Sequence, residues 1–290
     1  MPRVRQILFV APGPVVWARH LGLFEAQGIE VETTSTLSSD QIGQGLADGV
    51  WDVGIGVVDN ILAWNADRRA GLKIIAQLER SQVMAFCASP RCSSMADASR
   101  GVIAVDALDN GFVLVLFRAL ARAGIDPQTC NFDKVGGVRQ RFEALVAGST
   151  TATILVPPFI DMAMERGCVR LWSGEDLAPA YPGVVAGARK DWIDANRPLA
   201  KTYVRALCLA NAWAMNLDNH EAAVAALVAS GYSQPAAARL ASSAVPGLEP
   251  ARDGYEESIA LRRESGRLKG AAPKFEELVD LDLVRGPSEP

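Results

Sequence analysis

Short apolar runs alternate along this chain with stretches of helical period, and that alternation restricts its fold more than any other feature. VRQILFV (4–10) reads as a strand. In VVWARHLGLFEAQ (15–27), Trp17, Leu21 and Phe24 recur on one helical face, and Gly28 stops the helix. A second strand is expected at 29–34, a helix capped by Ser38 or Ser39 through residue 48, and a third strand at 52–58. A helix at 60–70 and a fourth strand at 72–78 follow. The series then restarts with GVIAV (101–105), a helix capped by Asp109 and reaching Ala123, a strand at 131–135 and a helix at 138–147. TATILV (151–156) is a strand, Pro157-Pro158 opens the next helix, and Val169 to Trp172 is a short strand. QVMAFCA (82–88) reads as the link between the two series. From about residue 189 helical stretches dominate, at 197–217, 219–229, 234–244 and 253–265, and the tail GPSEP reads as frayed. Alternation of this kind predicts α/β architecture with parallel sheets covered by helices on both faces, here two such units in succession.

Composition excludes several classes of function. A net charge of -4 argues against nucleic-acid and anionic-membrane partners, which call for a basic surface. No stretch supplies the roughly 20 apolar residues of a spanning helix, so direct membrane insertion is not expected. The opening MPRVRQILFVAPGP fits a first strand better than a secretory core. The expected location is therefore periplasmic if a leader has been removed, and cytoplasmic otherwise. The five cysteines form no CxxC pair, which argues against a metal knuckle or a disulfide scaffold; Cys87 and Cys92 lie close enough to join in an oxidising compartment.

In open parallel sheets, ligands sit beyond the carboxyl ends of the strands. The strand ends here are Ala11 to Pro14, Ser38 to Gln41, Asp59 and Asn60, Asp106 to Gly111, and Val156 to Phe159. Trp17, Phe112 and Phe159 could stack on a planar ligand or fill core, and Ser38, Ser39, Asp59 and Asp109 could be simple helix caps. Asp40, Asp59, Asp106 and Asp109 outnumber the arginines near these loops, which favours a ligand carrying an amine, amide or ring N–H over a polyanion. Only two histidines occur, His20 and His220, and no GxSxG, HExxH, P-loop or GxGxxG motif is present. No catalytic residue, cofactor or metal ligand is therefore assigned.

The run GLFEAQGIEVETTSTLSSDQIGQGLADGVWDVGIGVVDNILA resembles the opening of the nitrate/sulfonate/taurine substrate-binding proteins. The matching landmarks are Gly22, Leu23, Phe24, Gly28, Ile29, Val31, Leu46, Gly49, Asp52, Val53 and Gly54. GVIAVDALDNGFVLVLFRALARAGIDP, VRQRFEALVAGSTTATILVPPFIDMAMERG and DWIDANRPLAKTYVRALCLANAWAMNLDNHEAA resemble later parts of the same family, so the resemblance covers nearly the whole chain. One local departure is Ser149-Thr150-Thr151, where the family often has an aspartate before its strand. The resemblance implies a bilobal periplasmic-binding-protein-like α/β fold of type II, with two parallel or mixed sheets. It implies a first lobe of residues 1–88 and 187–290 and a second of 89–186. It also implies a small organic ligand, such as a sulfonate, an aromatic acid or a nitrogen heterocycle, held between lobes that close about a hinge for ABC-type uptake through permease subunits. Carried over by position, the ligand contacts are Pro12, Gly13, Ser38, Ser39, Asp59, Asn60, Asn110, Gly111 and Pro157; the residues themselves add Trp17 and Phe112 as candidate stacking rings.

The same fold hosts cytosolic enzymes, so fold alone does not decide function. The chain also resembles the thiamine-pyrimidine precursor synthases, but Asn60 stands where their histidine falls and their CCCFC cluster is absent. The aromatic sulfinate desulfinases use a cysteine in the first-strand loop, and Ala11-Pro12-Gly13-Pro14 has none. An enzyme of this fold, decarboxylase-like, desulfinase-like or related to pyrimidine precursors, is the alternative to a binding protein, acting on an aromatic or heterocyclic acid. A ligand sensor with no transporter is a third reading.

Overall fold

The computed structural model describes residues 1–80 and 83–285, the side chains of residues 67 and 68 excepted. Gln82, at the start of the expected link, and the GPSEP tail lie outside the described residues. Ten strands form two five-stranded sheets. They are β1 (Arg3–Leu8), β2 (Glu30–Ser35), β3 (Val53–Val57), β4 (Leu72–Gln77), β5 (Ala85–Ala88), β6 (Val102–Val105), β7 (Asn131–Lys134), β8 (Ala152–Leu155), β9 (Val169–Ser173) and β10 (Val184–Arg189). The first sheet has the order β2-β1-β3-β10-β4 and the second β7-β6-β8-β5-β9.

Both sheets are mixed rather than purely parallel. In the first, β1 runs parallel to β2 and β3, while β10 runs antiparallel to β3 and β4. In the second, β6 is parallel to β7 and β8, while β5 is antiparallel to β8 and β9. The antiparallel members are the strands on which the chain passes from one sheet to the other. Residues 85–88 are therefore a strand and not a link, and all four are buried because both faces of the sheet are covered. VVAGAR escapes a reading by alternation for the same reason: a strand covered on both faces carries no polar period.

The strand VGIGV carries so little bulk because helix side chains lie directly on it. A Cβ on Gly54 would sit 2.6 Å from Leu46 Cδ1 and 2.9 Å from Ile42 Cγ2. The expected helix at 15–27 is two, Gly13–His20 and Leu23–Ala26, separated at Gly22, whose φ of 62° takes the left-handed region. Trp17 and Phe24 still both face the core. Asn110, not Asp109, caps the helix Gly111–Arg122, accepting from Val113 N–H at 3.0 Å. The long helix Arg197–Met215 packs on Gly13–His20, and its Tyr203 hydroxyl donates to Gln6 in the middle of β1 at 2.5 Å. The helix Arg252–Glu264 touches Val58–Arg68 on one side and Gly111–Arg122 on the other, so it straps the two sheets' helices together. Arg118 binds that strap, donating twice to Glu264 at 2.8 Å.

Candidate functional site

A cleft of about 460 Å³ opens where strand ends of the two sheets face each other. That volume suits a small organic ligand. Its first wall includes Pro14, Ser39, Gly56, Asn60 and Glu79, and its second Asp106, Asn110, Arg141, Val156 and Pro157. β3 ends at Val57 and the next helix starts at once with Val58, so Asp59 and Asn60 fall in its first turn. Asn60 turns toward the cleft and donates from Nδ2 to Ser39 Oγ at 3.0 Å.

The expected site residues divide into two groups. Trp17, Ser39, Asn60, Asn110, Phe112 and Pro157 are brought together around the cleft. Trp17 is only 1% exposed and donates its indole N–H to the Ala223 carbonyl at 3.0 Å, so it supports the wall more than it presents a stacking face. Pro12, Gly13, Ser38, Asp59 and Gly111 do not line it. The Pro12 carbonyl is used by the N–H groups of Val15 and Val16, and Gly13 lies against the Trp17 ring, where a Cβ would come within 2.7 Å. Ser38 is an exposed cap whose hydroxyl accepts from Gln41 N–H at 3.3 Å.

Asp59 corrects the sequence reading most sharply. Its carboxylate is 0% exposed, and Arg262 Nη1 contacts both oxygens at 3.0 and 3.2 Å. Gly111 closes over it: a Cβ there would lie 2.7 Å from Asp59 Cβ and 1.8 Å from the Tyr181 hydroxyl. Asp59 is thus the counter-charge of the strap helix and does not line the cleft. Asp109 likewise pairs with Arg267 at 2.8 Å.

Among the cleft residues not singled out from sequence are Arg141 and Glu79. Arg141, in the first turn of Val138–Val146, is 3% exposed. Its Nη1 donates to Asp106 Oδ1 at 3.2 Å, and Asp106 also accepts from Asn110 Nδ2. The guanidinium carries five N–H donors, yet among the described residues it has this one acceptor, and its buried Nε has none. Burial lowers its pKa, with Asp106 opposing. The available signal was an arginine three residues after Val138 and four before Leu145, on the apolar stripe of its helix. Glu79 follows the end of β4, a strand end left out of the sequence reading. It is half-buried in the cleft wall, has no side-chain partner among the described residues, and is raised by burial to about 7.

Burial also raises Asp59 to about 7, against the pull of Arg262. For both acids the folded pKa exceeds the ordinary carboxylate value, so between about pH 4 and 7 the unfolded chain gives up protons that the native state keeps. Stability should therefore fall as pH rises through that window and level off above it. Urea denaturation at pH 5 and pH 8 checks this, and Glu79→Gln should reduce the difference.

All five cysteines are free thiols, and Cys87, buried in β5, is pushed up to about 12 by burial. Among the described residues no group of three or more His, Cys, Asp or Glu side chains is placed to hold a metal ion. No described helix is long and apolar enough to cross a membrane.

Comparison with known proteins gives one family match: the model of the NMT1-like family matches residues 7–229. No curated protein matches the sequence. Among solved structures, the chain is similar to the alkanesulfonate-binding protein SsuA from Xanthomonas axonopodis pv. citri bound to MOPS, with 17% identity, 92% of each chain covered and a TM-score of 0.74. It is similar to a conserved Candida albicans gene product described as having the generic periplasmic binding protein fold, at 13% identity, 100% of each chain and a TM-score of 0.80. A ligand-binding component of an ABC-type import system from Staphylococcus aureus, with zinc bound, gives 13% identity, 98% of each chain and a TM-score of 0.76. At these identities the structures show the fold: a bilobal, periplasmic-binding-protein-like α/β architecture.

Proposed function

This chain belongs to the NMT1-like family, and from that premise we propose that it is a substrate-binding protein, capturing a small organic molecule in the cleft between its lobes for ABC-type uptake. The observation that carries the reading is Arg141, a buried cation in the cleft wall with four donors unclaimed by described residues. A buried guanidinium left in that state is costly, and a ligand carboxylate or sulfonate is the group that would satisfy it. The ligand is therefore an organic acid, with an alkyl, aromatic or heterocyclic body against the apolar part of the wall at Val57, Val138 and Val156. The alkanesulfonate-binding neighbour supports this class.

The lobes we propose follow the strands. β1–β4, β10 and the later helices form one, and β5–β9 the other, which moves both crossings a few residues ahead of 88 and 186. Closure of these lobes on ligand would present a surface to permease subunits, on the uptake side of a membrane.

A thermal-shift screen over sulfonates, aromatic acids and nitrogen heterocycles tests the reading. A ligand at about 100 times its Kd adds roughly 2.7 kcal/mol, which for a chain of this size is a rise in Tm of about 5–10 °C. The hit should be recovered chemically unchanged after long incubation. Conversion to product would favour the enzyme, and no shift from any acid would contradict the proposal.

A further inference from the structure

The cleft carries a second polar anchor of opposite sign, on the opposite wall from Arg141. Glu79 is held rigidly by its surroundings. Gln77 Nε2 donates to the carbonyls of Glu79 and Arg80 at 3.1 and 3.2 Å, while Gln77 Oε1 accepts from Ala251 N–H at 2.7 Å. The Glu79 N–H donates to the Val184 carbonyl at 3.2 Å. Gly183 passes so close that a Cβ on it would meet the Glu79 carbonyl oxygen at 2.3 Å. The backbone is fixed, yet the carboxylate it presents has no partner among the described residues.

The charged groups of the cleft lining near it are paired elsewhere or form no ion pair with it. Arg239 pairs with Asp161 at 3.3 Å, and Glu249 pairs with Arg285 at 2.5 Å. The Tyr232 hydroxyl donates to the Ala11 carbonyl at 3.0 Å, and its pKa is raised by burial and by the Glu79 charge. Arg80 is exposed and forms no ion pair with Glu79; the remaining acids of the cleft lining are Glu175 and Asp106, the latter held by Arg141 and Asn110. Asp59, the other raised acid, is sealed behind Gly111 and does not reach the cleft.

We propose that Glu79 is a donor-recognition subsite, taking an ammonium or ring N–H of the same ligand whose acid group meets Arg141. The proposal rests on the binding reading above and narrows it: the cleft selects a dipolar molecule, an amino acid-like sulfonate or carboxylate or an acid bearing an N–H heterocycle, over a simple organic acid. A half-buried carboxylate with no protein partner among the described residues leaves an acceptor open in the cleft wall, and an N–H donor on the ligand would fill it. Burial keeps Glu79 partly protonated near neutrality, at about 7. A cationic end binds the ionised form, so its affinity should rise about tenfold per pH unit below that value and flatten above it.

The test is titration calorimetry with matched pairs: 4-(aminomethyl)benzoate against 4-methylbenzoate, and 3-aminopropanesulfonate against propanesulfonate. The wild-type protein should prefer the amine-bearing member of at least one pair by about tenfold or more at pH 8, and should release protons on binding it at pH 6. Glu79→Gln should bring the two members within about twofold and flatten the pH profile. Equal wild-type affinity for both members contradicts the Glu79 subsite and leaves the cleft reading standing. Binding of neither member of either pair contradicts both. The comparison of matched ligands needs no variant to fold.

Discussion

Replacing Arg141 by alanine should weaken the binding of every acidic ligand of the cleft by about 2–5 kcal/mol, roughly 30-fold or more in Kd. The size of the effect follows from where the charge sits. Arg141 has already lost its water in the folded protein, and its one described acceptor, Asp106, is shared with Asn110. A ligand acid therefore gains charge-assisted hydrogen bonds without having to desolvate or order the arginine. Arg141→Lys keeps a charge but loses the planar fork, and should fall between alanine and wild type. Stability should suffer less than affinity. The Asp106 side chain keeps its bond from Asn110 and is 12% exposed, so it is not left as a fully buried orphan. Calorimetric titration gives the affinity and a denaturant melt the stability. Unchanged affinity in Arg141→Ala would remove Arg141 from the site.

Arg262→Ala should cost about 3–5 kcal/mol of stability at pH 8, the range expected when one partner of a buried ion pair is deleted. Asp59 would lose both of its contacts at full burial, beneath a Tyr181 hydroxyl that itself has no hydrogen-bond partner. Asp109 keeps Arg267 at 2.8 Å and is less affected. Without the guanidinium, burial pushes the Asp59 carboxyl further up, because the group that opposed the shift is gone. A protonated Asp59 needs no counter-charge, so the deficit should shrink as pH falls from 8 to 5. Asp59→Asn placed in the Arg262→Ala background should recover part of the loss. Urea denaturation at both pH values reads all of this. A deficit under about 1 kcal/mol, or one independent of pH, would contradict the assignment of Asp59 to the strap.

The architecture was legible where the chain's periodicity is local. Strand–helix alternation gave both sheets their parallel strands, and the small residues of β3 announced close packing, which Leu46 and Ile42 supply over Gly54. The return strands β5 and β10 were not legible. A short strand buried on both faces shows no alternation, and its antiparallel insertion depends on partners far along the chain. Asp59 shows the same limit at the site. A carboxylate just past a strand end looks the same in sequence whether it faces a ligand or a counter-ion 203 residues away. Arg141 and Glu79 were missed for complementary reasons. One is a charge hidden on an apolar helical stripe, and the other sits just past the end of β4, a strand end that was not considered. That Ser39, Asn60, Asn110 and Pro157 line the cleft was legible because they lie at helix starts just past strand ends, where polar residues and prolines gather.

The central claim is that the cleft between the lobes holds a small organic acid by Arg141. A crystal structure of the protein with the strongest hit of the thermal-shift screen measures this most directly. The predicted result is the ligand enclosed between the walls bearing Asn60 and Pro157, with an acid oxygen within hydrogen-bonding distance of the Arg141 guanidinium. A ligand seated outside the cleft, or inside it with its acid group turned away from Arg141, would contradict the account.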